Sequence, residues 1–260
     1  MFNNRAFLYG DAVSVYFFVR NGKLVLAEEC YFFLMASMRK MRLNIPMNFT
    51  LEFFSEMFQD AIHQKSYQHA HIHFIVFRNQ AETTALAKTS IGYHFEFRES
   101  LDILEINRNI EIDLLKEITV NTNLLSNILV HHPENIYAEV YANENNLDDL
   151  LLLNPNKRVA RGIFGNYLFL EGNVLKTPKH TEGAYISPLL ESFVTHVHQQ
   201  KLAEIQEVEM SAFETQKADE ILMISDQKGI QSVVKIRNKS FENIRFREML
   251  KSWQENFKAI

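Results

Sequence analysis

Asn21-Gly22 lies between two apolar, β-rich runs, residues 12–20 and 23–27. Asn-Gly is the strongest short hairpin signal, because the favoured two-residue turn needs positive φ at both central positions. The segment is therefore expected to fold as an antiparallel ribbon. Residues 28–43 then read as a helix, with Phe32, Met35, Ala36 and 38–41 supplying one face. "IPMN" stops it, and Thr50 is placed to cap a second helix running to about Gln64. Residues 69–78 and 92–98 alternate with period two, as strands do. Together these form a small α+β unit.

A polar stretch over residues 99–111 reads as a connection, which puts the expected domains at 1–104 and 105–260. Beyond it lies "ITVNTNLLSNILV", residues 118–130, without a chargeable side chain. Its start reads as a strand end and Asn123 onward as the first turns of a helix. Ligands collect at such strand-to-helix passages. A helix over 133–145, a buried strand at 150–153, a Pro155-Asn156 turn and strands at 158–161 and 167–171 follow. Gly172-Asn173 turns the chain into 174–176, Pro188 suits a first helical position, and a last helix spans 240–257. The pattern predicts a two-domain α/β (α+β) fold with the larger domain second.

Several function classes drop out on composition. A net charge of -5 lacks the basic footprint of a nucleic-acid binder. The single cysteine, Cys30, allows no internal disulfide and no cysteine zinc site, which fits a cytoplasmic setting. No apolar run approaches the roughly 20 residues of a membrane span, so no membrane partner is expected. With 21 Phe and 8 Gly, the core is heavy and Gly-rich phosphate loops are few.

"NNRAFLYGDAV" and "YFFLMASMRKMRLNIPMNFTLE" resemble class IV, fold-type IV pyridoxal phosphate enzymes. "NLLSNIL", "NNLDDLLLLN", "TPKHTEGA" and "ADEILMISDQKGIQ" continue the resemblance in the family's order over nearly the whole chain. That group includes branched-chain and D-amino acid aminotransferases and 4-amino-4-deoxychorismate lyase, and the lyase-like branch is most similar. The resemblance implies a small N-terminal and a larger C-terminal domain, a cofactor between them, and a homodimer. It also implies a further strand ahead of "NNRAF", so the chain is expected to begin late relative to the family.

The same resemblance marks the cofactor positions, and this chain departs at most of them. The Schiff-base lysine falls three residues before Asn123, at Val120, where no internal aldimine can form and no base can move a proton. Lys116 lies four residues upstream, about 13 Å along a strand. The phosphate-binding Arg matches Phe33, and the Glu facing the pyridine nitrogen matches Arg161. The phosphate turn becomes Ser187-Pro188-Leu189; Pro188 has no N–H to donate and Leu189 no hydroxyl. The second hydroxyl patch becomes Ile224-Ser225-Asp226, where Ser225 retains a donor and Asp226 brings negative charge. Ser14 and Val15 replace the substrate-side "FE" after "GD". Gly10-Asp11, Asn123, Asn166, Gly183 and Gly229 survive as turns and helix starts. The expectation is a degenerate member with no bound cofactor, acting as a scaffold, a small-ligand binder or the partner of an active paralogue. An active lyase or aminotransferase is the alternative.

Other candidates have plain readings beside sharp ones. His69, His71 and His73 share one strand face, either as a metal site or as a solvated face; i, i+2 spacing of about 7 Å is wide for one metal. A lone Cys30 at a helix start is a candidate for a thiol of lowered pKa, though such a cysteine is seldom catalytic. His196 and His198 do not face each other on a helix. Residues 143–149 read as a helix end and loop. Arg161 is either a contact for a small anionic ligand or half of an ion pair with a carboxylate such as Asp226.

Overall fold

The computed structural model describes residues 4–79, 84–86 and 88–257. The polypeptide divides into two compact units, Met1–Ile103 with Ile128–His132, and Leu104–Asn127 with Pro133–Ile260. Among the described residues no helix is long and apolar enough to cross a membrane.

In the first unit, helix α1 (Arg5–Tyr9) precedes β1 (Ala12–Arg20), and β2 (Lys23–Val25) returns beside it with Arg20 opposite Lys23. Asn21 and Gly22 both have positive φ, 51° and 72°, as the expected hairpin turn requires. Helices α2 (Ala27–Lys40) and α3 (Leu51–Lys65) follow, and the Thr50 hydroxyl accepts the Phe53 N–H at 3.2 Å as the cap of α3. Strands β3 (His69–Arg78) and β4 (Ile91–Glu99) complete an antiparallel sheet of order β2-β1-β3-β4. Phe17 and Phe74 on the sheet pack against Phe54 and Phe58 of α3. That aromatic stack, buried throughout, forms much of the core of this unit.

The retained Gly10-Asp11 has a structural explanation. Gly10 sits at φ 64°, and a Cβ there would fall 2.6 Å from His131 Cβ. The buried Asp11 carboxylate accepts from Arg5 Nε at 2.7 Å and from Arg78 Nη1, joining helix, turn and strand.

The second unit is built on a nine-stranded mixed sheet. Its strands are β5 (Ile106–Thr119), β6 (Asp149–Leu153), β7 (Val159–Arg161), β8 (Asn166–Glu171), β9 (Val174–Pro178), β10 (Glu204–Val208), β11 (Glu220–Ser225), β12 (Gly229–Ile236) and β13 (Lys239–Ser240). The order is β10-β9-β8-β11-β12-β5-β6-β7, with β13 on β12. Helices α4 (Pro133–Glu144), α5 (Pro188–Gln199) and α6 (Ile244–Glu255) accompany it.

Four local expectations are corrected. Much of the polar stretch 99–111 is strand: β5 begins at Ile106, burying Ile110 and Ile112 while Asn109 and Glu111 stay exposed. No helix starts at Asn123. Its side chain accepts the Leu125 N–H, and Ser126 Oγ accepts the Asn123 N–H, so the side chains satisfy a turn instead. Helix α6 starts at Ile244, because residues 239–240 pair with β12 and the Glu220 carboxylate caps the N–H groups of Ile244, Arg245 and Phe246. The histidine face of β3 is only partly solvated: His71 is 6% exposed, while His69 and His73 are half-buried.

Candidate functional site

Strand β5 ends at Thr119, and the next residue, Val120, donates its N–H to Leu153 O at 2.9 Å. Its side chain enters an apolar cluster with Leu115, Leu150, Leu152, Ala160 and Ile163. Gly183, at φ 104°, comes so close that a Cβ there would lie 3.3 Å from Val120 Cγ2. Val120 is therefore a packed core residue. The following turn is tied down by Asn127, whose amide donates to His180 O and Ala184 O, each at 2.7 Å.

Sequence marks a second position, Arg161, at the end of β7. Arg161 is 1% exposed, and Nη1 donates to Asn135 Oδ1 at 2.8 Å and to Gly162 O at 3.1 Å. The guanidinium lies 4.3 Å from the Tyr185 ring centre, and Nη2 is 3.8 Å from Glu134 Oε1. Burial lowers its pKa, opposed by Tyr185, Glu134 and Asp149. The ion pair weighed above with Asp226 does not form: the nearby carboxylate is Glu134, from the first turn of α4.

Asp149, read from sequence as part of a loop, is fully buried at the start of β6. Its Oδ1 accepts the N–H groups of Leu150 and Ile163, yet burial still pushes its pKa up to about 6. Nothing in the local sequence marks it; the burial follows from β6 lying between β5 and β7.

The turn that the resemblance matches to the family's phosphate site lies at the start of α5. Ser187 is the N-cap and accepts the Leu190 N–H at 3.1 Å; Pro188 occupies the first helical position. Ser187 Oγ donates to Asp226 Oδ1 at 2.6 Å, and the Leu189 N–H also reaches that carboxylate. Asp226 is 6% exposed, and burial raises its pKa to about 7 against those two donors. The side chains of Leu189 and Ile224 are fully buried. Ser225 Oγ donates to Phe164 O at 2.6 Å and accepts the N–H groups of Gln227 and Lys228. Thus the donors expected to face an anion are engaged by the chain's own oxygens.

Phe33 lies in α2 of the first unit and is buried. Cys30 is fully buried in the same helix. Among the described residues no group of three or more His, Cys, Asp or Glu is placed to hold a metal.

Residues 14–236 match the sequence pattern of the family described as amino-transferase class IV. The chain belongs to that family. Its fold is similar to a candidate 4-amino-4-deoxychorismate lyase from Legionella pneumophila subsp. pneumophila str. Philadelphia 1. Identity is 21% over 98% of this chain and 94% of that one, with a TM-score of 0.85. A branched-chain aminotransferase from Thermoproteus uzoniensis is similar at 15% identity over 98% of this chain and 88% of that one, TM-score 0.87. The Escherichia coli branched-chain aminotransferase is similar at 15% identity over 100% and 88%, TM-score 0.84. No curated protein matches this class IV chain in sequence.

Proposed function

We propose that this class IV chain has lost the family's covalent pyridoxal phosphate chemistry and keeps the fold as a scaffold, a small-ligand binder or the partner of an active paralogue. The observation that carries this reading is Asp226 at the start of α5. Its carboxylate takes the Ser187 hydroxyl and the Leu189 N–H, the donors an incoming phosphate would need. A helix N-terminus attracts an anion through unsatisfied N–H groups and the helix dipole. Here an internal carboxyl group already takes those donors, and with a pKa of about 7 it is only partly ionised near neutral pH. A phosphate brought to about 4 Å from the ionised carboxylate would meet repulsion of about 1–4 kcal/mol for each pair of unit charges.

The residues present do not fit pyridoxal phosphate. Val120 offers no amine, Phe33 no cation, Pro188 no N–H, and Ser225 uses its hydroxyl inside its own turn. Arg161 is assigned a structural role in the Glu134–Asn135–Tyr185 cluster in place of the small-anion contact, because its guanidinium is buried and engaged. A cytoplasmic homodimer completes the proposal, on the strength of the family resemblance.

The test is the absorbance spectrum of the purified chain titrated with pyridoxal phosphate. We expect no aldimine band and no product from amino-substrates. A stoichiometric band with turnover would establish the alternative, an active class IV lyase or aminotransferase.

A further inference from the structure

The sheet of the first unit has two unlike faces. One carries Phe17 and Phe74 against the helices. On the other, β1 contributes Ser14 and Tyr16, β3 contributes His73, and β4 contributes Glu96 and Arg98. The register sets His73 directly opposite Tyr16 on one side and Glu96 on the other, with Ser14 on the diagonal.

The imidazole is held in one orientation. Tyr16 stacks on it with ring centres 4.7 Å apart and planes 9° from parallel. Nε2 lies 3.1 Å from Ser14 Oγ. Nδ1, buried and without a hydrogen-bond partner, lies 3.6 Å from Glu96 Oε1, an oxygen that also accepts from Arg98 Nε at 2.9 Å. A hydroxyl on one ring nitrogen and a carboxylate on the other is the arrangement by which a neutral histidine activates a serine. A hydrogen bond in such a relay is commonly long before substrate binds.

We propose that Ser14, His73 and Glu96 form a nucleophile–base relay that transfers acyl groups from activated esters or thioesters to water. Ser14 Oγ attacks the carbonyl carbon, and its proton passes to His73 Nε2. The carbon–leaving-group bond breaks, and His73 returns the proton to the departing alcohol or thiol. Water then attacks the acyl-serine, giving its proton to His73. The ester bond to Ser14 breaks, the acid leaves, and Ser14 Oγ recovers the proton. Glu96 is a positioning residue: it faces Nδ1–H and stabilises the cationic ring formed in each half-reaction. The Ser14 N–H is already donated to Leu129 O at 2.8 Å and is not available to a developing oxyanion. This favours acyl groups whose leaving groups need little help, aryl esters and thioesters.

The surroundings keep the base neutral. Burial and the Arg98 guanidinium lower the His73 pKa, and Glu96 opposes them. The ionisable groups around the ring are Tyr16 on β1, His94, Glu96 and Arg98 on β4, and His71 on its own strand. A neutral ring at neutral pH can accept the serine proton. None of the three residues is one of the cofactor positions, although Ser14 stands where the resemblance puts a substrate-side residue.

The experiment treats the full chain with a fluorophosphonate probe and with p-nitrophenyl acetate. We expect the probe on Ser14, located by peptide mapping. Ser14→Ala and His73→Gln should each lower hydrolysis above background by about a hundredfold or more. Glu96→Gln should lower it by about tenfold and move the acid limb of the pH profile to lower pH, because the charge that raises the His73 pKa is removed. Thermal melting checks that the variants fold. If Ser14→Ala does not fold, Ser14→Cys replaces it, with alkylation by iodoacetamide below neutral pH that is lost when His73→Gln is added. Labelling elsewhere, hydrolysis unchanged in Ser14→Ala, or alkylation of Ser14→Cys indifferent to His73→Gln would each overturn the proposal.

Discussion

Ser187 Oγ and Asp226 Oδ1 are 2.6 Å apart at the N-terminus of α5, although 39 residues separate them in sequence. The pair makes the helix start self-sufficient: the hydroxyl caps the Leu190 N–H while donating to a carboxylate that also takes the Leu189 N–H. The charge that an external ligand would bring comes from within the fold only as Asp226 ionises, with a pKa of about 7.

Removing that charge should change the pH dependence of stability. The Asp226 pKa rises from 3.8 to about 7 in the folded state. The native state therefore binds the extra proton between those values, and this contribution to stability is full below the unfolded pKa and lost as pH rises through the folded one. At about 1.4 kcal/mol per pH unit of separation, the loss reaches at most about 4 kcal/mol. Asp226→Asn keeps an acceptor for Ser187 and should flatten the profile, raising Tm at about pH 8 by several degrees. Melting curves across pH decide it; an unchanged slope would refute the assignment.

His71 should act in the opposite sense within the first unit. Burial lowers its pKa from 6.5 to about 4. The unfolded chain binds the proton first, so stability is full above the unfolded pKa and falls as pH drops towards the folded one. His71→Leu removes a buried nitrogen without a hydrogen-bond partner and should melt later than the parent at about pH 5. Equal acid sensitivity of the two proteins would count against this.

Introducing a lysine at Val120 should not by itself create a cofactor site. Val120→Lys places a long amine beside Ala160 and Gly183 in an apolar cluster, and overpacking of this kind costs about 1–3 kcal/mol. The amine would tend to lose its proton there, but the phosphate donors would remain engaged. We expect a lower Tm and no stoichiometric absorbance change with pyridoxal phosphate. Tight aldimine formation would mean that the anion turn opens readily.

Arg161 and Glu134 should behave as a coupled pair. Arg161→Met removes the cation 3.8 Å from the buried Glu134 carboxylate, a change of the kind that costs about 3–5 kcal/mol. Arg161→Met combined with Glu134→Gln should recover a substantial part of that loss. A double-mutant cycle in denaturant measures the coupling, and additive losses would show that the two residues do not interact.

Local rules carried much of the fold. Asn21-Gly22 set the hairpin because its backbone tolerates positive φ, and Thr50 marked α3 because its hydroxyl reaches an N–H three residues on. Alternation located β3 to the residue, and Pro188 marked the start of α5. Each of these signals acts over a few residues, so the sequence displays it directly. The residue types at positions 33, 120, 161, 188 and 189 are also read directly, since a side chain that lacks an amine or an N–H lacks it in any fold.

Only the tertiary structure decided where the remaining groups went. Glu220 caps α6 from 24 residues away, and Asp226 closes the start of α5 from 39. Arg161 found Glu134 and Tyr185, and His73 came to lie between Ser14 and Glu96 on neighbouring strands. Most buried polar atoms find a partner where the packed chain brings one within hydrogen-bond reach. That partner is set by strand order and register, which no short window of sequence contains.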